Sequence, residues 1–227
     1  VLASRFIILD SMKLQTNPSA LQNHSLHLVL ASQSERRSHI LRQIGLNFQQ
    51  DFGLVDEQAL PGENPHDFTL RLAESKAKIV QPRHPHSILI GADTIVRVED
   101  RVLGKPSNRQ EAKEMLYLLS GRRHQVITGL CLLETETDRC IARNAITDVL
   151  FAELSPDEIE AYIGTGEPED KAGSYGIQEK GALWVREILG CYYNIVGFPV
   201  RLFYELWQEF LPRQTLLSYC SWAIPSP

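Results

Sequence analysis

Close cysteine pairs are missing from this chain of 227 residues: Cys131, Cys140, Cys191 and Cys220 are scattered, without the short spacings that zinc sites and redox motifs use. That scatter argues against a disulfide framework and for free thiols in a reducing compartment. Long apolar runs are missing as well. The longest near the N-terminus, Phe6-Ile7-Ile8-Leu9, stops at Asp10 and is too short for a membrane span or the core of a secretory signal. Excess basic charge is absent, since 23 Lys and Arg against 28 Asp and Glu leave a formal charge of −5, which argues against broad binding to a nucleic-acid backbone. Neither a glycine-spaced G-K-[ST] loop nor a G-x-G-x-x-G fingerprint occurs. These absences leave a cytoplasmic protein with no membrane and no nucleic-acid polymer as partner, and any basic cluster must be local, which suits a small anionic ligand.

What is present is enough apolar residue, 43%, to fill the core of one large domain or two small lobes. Residues 1–25 read as a separate leader, disordered or a product of start-site choice, because Asn17-Pro18-Ser19 breaks regular structure and Met12 lies inside it. Residues 212–227, ending in Pro225-Ser226-Pro227, lack periodicity and read as a C-terminal tail. Between them, strands and helices alternate through 26–211. A strand at 26–31 leads to a helix through Ile40, Leu41 and Ile44, stopped by Gly45, and a strand follows at 48–54. Pro65 and Asp67 open a helix with Phe68, Leu72 and Ile79 on one face, ending before Pro82. Glu99-Asp100 between valine-bearing runs predicts a hairpin, and 109–119 a helix with Ala112, Met115, Leu116 and Leu119 at core spacing, stopped by Ser120-Gly121. Strands at 125–133 and 141–152 follow, then a helix start at Ser155-Pro156-Asp157-Glu158 and a last helix over 199–211. The class is α/β with a mixed sheet.

Asp93 ends the apolar run Ser87-Ile88-Leu89-Ile90-Gly91-Ala92, which reads as a buried strand, where charge is tolerated only with a partner or a metal. Cationic candidates stand at Arg36, Arg37, Lys76 and Lys105, so a carboxylate facing a basic cleft for a metal-bound polyphosphate is one reading. A strand-end aspartate capping the next turn is the other. Ser32-Gln33-Ser34-Glu35-Arg36-Arg37 falls where the first strand turns into the first helix, with N–H groups, hydroxyls and two guanidinium groups in place to cradle phosphate. The alternative has Ser32 or Ser34 as a helix cap and solvated arginines. Lys76 shares its helix with Lys78, ordinarily a solvated face. His84 and His86 read as loop histidines without a third ligand, and Tyr192, Tyr193 and Trp207 as packing of a C-terminal layer. Ser174 lacks a His and Asp partner set, which disfavours covalent catalysis.

Taken in order, these signals resemble the Maf family of nucleoside triphosphate pyrophosphatases, first associated with septum formation. The resemblance rests on Leu30-Ala31-Ser32-Gln33-Ser34-Glu35-Arg36-Arg37, Asp56-Glu57, Arg71-Leu72-Ala73-Glu74-Ser75-Lys76-Ala77, Gly91-Ala92-Asp93-Thr94-Ile95-Val96 and Gly104-Lys105-Pro106. It continues through Leu119-Ser120-Gly121-Arg122-Arg123-His124, Gly166-Glu167-Pro168, Asp170-Lys171-Ala172-Gly173-Ser174-Tyr175-Gly176-Ile177-Gln178 and Tyr193-Asn194-Ile195-Val196-Gly197-Phe198-Pro199. Glu35 departs from the family's usual proline. The resemblance implies an elongated mixed sheet flanked by helices, two lobes around a central cleft as in inosine triphosphate pyrophosphatases, and a homodimer. It implies hydrolysis of dTTP or UTP, or modified pyrimidine triphosphates, to a monophosphate and pyrophosphate. Asp93 matches the catalytic acid, as proton acceptor or metal ligand; Glu57 matches a second acid completing a Mg2+ or Mn2+ site, and Lys105 a catalytic cation. Ser32, Ser34, Arg36, Arg37 and Lys76 match substrate-binding positions. Thr94 and Gln178, with Arg36, match the branch that prefers dTTP and UTP; the Gln178 amide both donates and accepts, as reading a base edge requires. Two alternatives accompany this reading: a non-catalytic nucleotide-binding regulator of septum formation and cell division, and a house-cleaning enzyme preferring ITP.

Overall fold

The computed structural model describes residues 27–221, so the expected leader and the last six residues of the expected tail lie outside the described residues. Seven strands form one mixed sheet: β1 (His27–Ala31), β2 (Gln49–Asp51), β3 (Ser87–Val98), β4 (Arg101–Leu103), β5 (Arg123–Glu134), β6 (Cys140–Phe151) and β7 (Val185–Leu189). Their order is β2-β1-β3-β5-β6-β7, with β4 on the distal half of β3. β1 runs parallel to β2 and β3, and the rest of the sheet is antiparallel. Parallel neighbours need crossovers, and these are α1 (Glu35–Gln43) and α2 (Pro65–Val80). α3 (Arg109–Leu119), α4 (Pro156–Ile163), α5 (Tyr192–Val196) and α6 (Val200–Phe210) complete the set. Among the described residues no helix is long and apolar enough to cross a membrane.

Because β3 alternates its side chains between faces, it feeds two cores. Ile88 and Ile90 join the larger one, which gathers Leu41, Leu116, Phe151, Phe203 and Trp207. Leu89 joins the smaller, with Ala73, Ala77 and Val80 of α2. α2 lies against the strands themselves: a Cβ at Gly91 would stand 2.0 Å from the Ala73 carbonyl oxygen, and one at Gly129 2.3 Å from that of Thr69. The expected Phe68, Leu72 and Ile79 face is therefore corrected. Ile79 is 41% exposed, and the buried face is Thr69, Leu72, Ala73, Ala77 and Val80, with the small Ala73 and Ala77 letting backbone meet backbone.

Other expectations shift too. Asp93 is not at a strand end capping a turn; β3 continues to Val98, and Asp93 pairs opposite Gly129 of β5 in mid-strand. The strand expected at 48–54 contracts to Gln49–Asp51. β7 and the short α5 were not anticipated. Residues 212–221 dock on the body, with Leu216 buried, the Trp207 indole N–H donating to the Gln214 carbonyl at 2.9 Å, and Leu46 bridging to Cys220. All four cysteines are free, but the β5 and β6 pairing brings the Cys131 and Cys140 Sγ atoms to 3.1 Å.

Candidate active cleft

A cavity of about 850 Å³ opens beside the middle of β3. Its first wall is the turn from β1 into α1. Ser34 has extended backbone angles and its Oγ accepts the Arg37 N–H, so it is the cap of α1, while Ser32 Oγ accepts from the Ser34 N–H and from Arg37 Nη1, each at 3.2 Å. Glu35 sits in the first turn of α1, where the helix dipole favours an acid. Arg37 is not solvated. Its Nε donates to the Gly197 carbonyl at 2.8 Å and its Nη2 to Thr94 Oγ1 at 3.0 Å, and Thr94 Oγ1 also pairs with Thr128 Oγ1. Burial pulls its pKa down, Asp93 opposes that and Arg36 adds to it; guanidinium nevertheless stays charged.

The second wall carries the acids. Lys76 reaches from α2 to place Nζ 2.6 Å from Asp93 Oδ1 and 2.7 Å from Glu57 Oε1. Asp93 is 7% exposed, so this ion pair answers the strand charge's need for a partner. Burial alone would raise the Glu57 pKa, but the Lys76 hydrogen bond and the charges of Lys76, Lys105 and Arg37 hold it below the usual carboxylate range. Lys105, in the turn after β4, has no ion-pair partner among the described residues. Two carboxylate oxygens already converge on one cation, and hard oxygen donors suit Mg2+ or Mn2+. Among the described residues no group of three or more His, Cys, Asp or Glu could hold a metal, so Asp93 and Glu57 are the two acids this wall could offer one.

The third wall faces the others. Arg36 Nη1 lies 2.8 Å from Asp170 Oδ2, and Lys171 Nζ donates to Asp170 Oδ1 at 2.8 Å. Gln178 is exposed on this wall. All ten residues singled out from sequence, Ser32, Ser34, Arg36, Arg37, Glu57, Lys76, Asp93, Thr94, Lys105 and Gln178, thus line one cavity. Asp170, Lys171 and Glu167 were not singled out. Their signal was a dense run of charge between Gly166 and Gly173, and only the folded chain shows what it meets.

Tyr175, also on this wall, hydrogen-bonds His124 Nε2 at 2.9 Å within a cluster of edge-on rings that includes Phe151. Burial pushes the His124 pKa down to about 4, against a smaller opposing contribution from the Arg122 backbone. The unfolded chain, with an imidazole pKa of about 6.5, therefore takes up its proton first as pH falls. His124 contributes stability that is fully present above that value and is lost toward about pH 4, at up to about 1.4 kcal/mol per pH unit. Denaturation at about pH 7 and about pH 5 should show this loss, and His124→Phe should flatten it; equal slopes would refute the assignment.

The profile described as Maf-like protein matches residues 27–210. The chain is 45% identical over 183 residues to a dTTP/UTP pyrophosphatase of Symbiobacterium thermophilum, covering 81% of this chain and 93% of that one. It is 46% identical over 182 residues to one of Bacillus anthracis, covering 80% and 94%. Among solved structures, the Staphylococcus aureus Ham1 protein aligns with a TM-score of 0.44 at 13% identity, covering 82% of this chain and 98% of that one. With a family profile spanning most of its length and relatives at this identity, the chain belongs to the Maf-like protein family.

Proposed function

We propose that this protein hydrolyses dTTP and UTP between the α and β phosphates, releasing the nucleoside monophosphate and pyrophosphate. The observation that carries the reading is Asp93, a nearly buried carboxylate in a cavity shared with Arg36, Arg37, Lys76 and Lys105. The dTTP/UTP pyrophosphatase activity for which the relatives are named supports the same substrates. Phosphoryl chemistry asks a protein mainly for positioning and neutralisation of charge on phosphate oxygens. The cations above, with Ser32 and Ser34 at the helix start, answer that demand. Asp93 accepts a hydrogen bond from Lys76 Nζ, and its carboxylate is the group to take a proton from the attacking water. Asp93 and Glu57 would hold a divalent cation, Mg2+ or Mn2+, which when bound polarises the phosphates and offsets their charge.

The base falls to Gln178, Thr94 and Arg36. Uracil and thymine present an N3–H donor between two carbonyl acceptors, and a carboxamide with a guanidinium supplies the complementary set. Thr94 acts at one remove, since its hydroxyl holds Arg37. The working unit in this proposal is a cytoplasmic homodimer, with 26–211 as the pyrophosphatase domain, 1–25 as a leader and 212–227 as a tail.

A panel of triphosphates incubated with protein and Mg2+ tests the reading. Pyrophosphate should appear fastest with dTTP and UTP, and chelation with EDTA should stop it. Preference for ITP, release of orthophosphate, or nucleotide binding without turnover would each overturn it.

A further inference from the structure

Glu167 is a carboxylate whose side chain is 2% exposed, and it does not line the cleft. A buried charge of this kind persists only where donors converge on it. Here they come from α4 and from one short loop. Tyr162 OH donates to Glu167 Oε1 at 2.7 Å, the N–H groups of Gly181 and Lys180 donate to its two oxygens at 3.3 Å, and Lys180 Nζ stands 3.7 Å away. The Tyr162 oxygen in turn accepts the Gly176 N–H at 3.1 Å. Both ends of the 176–181 loop are thereby tied to one residue pair, with Gln178 between them. The closure is tight: a Cβ at Gly181 would stand 2.7 Å from the Gly176 carbonyl oxygen, and one at Gly176 2.6 Å from Lys171 Cε. The same hub reaches Arg36, because Lys171 Nζ donates to the Glu167 carbonyl at 2.8 Å and to Asp170, which holds Arg36.

We propose that Glu167 and Tyr162 are positioning residues for pyrimidine recognition, holding Gln178 through the two ends of its loop and Arg36 through Lys171 and Asp170, so that discrimination of uracil-type from cytosine-type bases is set from outside the cleft. The inference rests on the pyrophosphatase reading and deepens it. An exposed glutamine on an untethered loop would lose conformational freedom on binding each substrate; a loop held at both ends has lost it beforehand.

Tyr162→Phe tests this, because the ring that packs edge-on against Trp184 at 4.6 Å is retained while the hydroxyl linking Glu167 to Gly176 is removed. The variant should raise KM for UTP and shrink the UTP-to-CTP preference by about tenfold, with kcat changed by no more than about threefold. Inhibition by tripolyphosphate, which has no base, should stay as in wild type. Glu167→Gln, which keeps one acceptor oxygen, should fall between wild type and Glu167→Ala in the same ratio. A folded, active Tyr162→Phe enzyme with wild-type preference overturns the inference, as does an equal loss of tripolyphosphate affinity. Wild-type protein that releases no pyrophosphate overturns the proposed function instead.

Discussion

Asp93→Asn is expected to reduce pyrophosphate release from dTTP and UTP by about a thousandfold, within the range that a positioned acid or base contributes to a rate. The carboxamide keeps the size and one acceptor oxygen for Lys76 but cannot take a proton. Lys76 also retains its 2.7 Å contact with Glu57, so the fold should survive and the thermal midpoint should move little. Tripolyphosphate affinity, measured by calorimetry, should change by less than about tenfold, because Arg36, Arg37 and Lys105 remain. Turnover that persists in this variant at the wild-type rate would remove Asp93 from the chemistry.

The second large effect belongs to the fold. Gly129→Ala and Gly91→Ala each place a methyl within 2.3 Å or less of a backbone oxygen of α2. A flexible side chain can swing away from such a contact, whereas a helix backbone has to move as a body, so each variant should lose about 3 kcal/mol or more of stability. Displacing α2 also moves Lys76, so activity should fall with stability. Gly104→Ala is the control: a Cβ there meets nothing within 4 Å, and its urea midpoint should match wild type. Equal midpoints for all three variants would refute the close approach.

These two sites differ in how far they can be read from the chain. Ser155-Pro156 opens α4 with a complete capping box, and α3 ends at Ser120 as expected, because helix ends are set by residues a few positions apart. The cleft is legible for a related reason: an acid in an apolar strand and paired arginines at a helix start are anomalies on their own segments. The buried face of α2 is not legible, since it depends on Gly91 of β3 and Gly129 of β5. Glu167 is hidden likewise; the motif Gly166-Glu167-Pro168 gives it no role of its own, and only Tyr162, Lys180 and Gly181 make it a hub. Cys131 and Cys140 become neighbours only through the β5 and β6 register. β7 is largely exposed and short, which leaves little alternation to read.

The ammonium lodged between Asp93 and Glu57 offsets part of their charge from within the chain itself. If the proposed cation binds Asp93 and Glu57, Lys76 has to release those acids, and its ammonium would then be free to meet a phosphate oxygen. Protein stripped of ions by a chelator should consequently keep its melting temperature, because the chain carries its own counterion until that cation arrives.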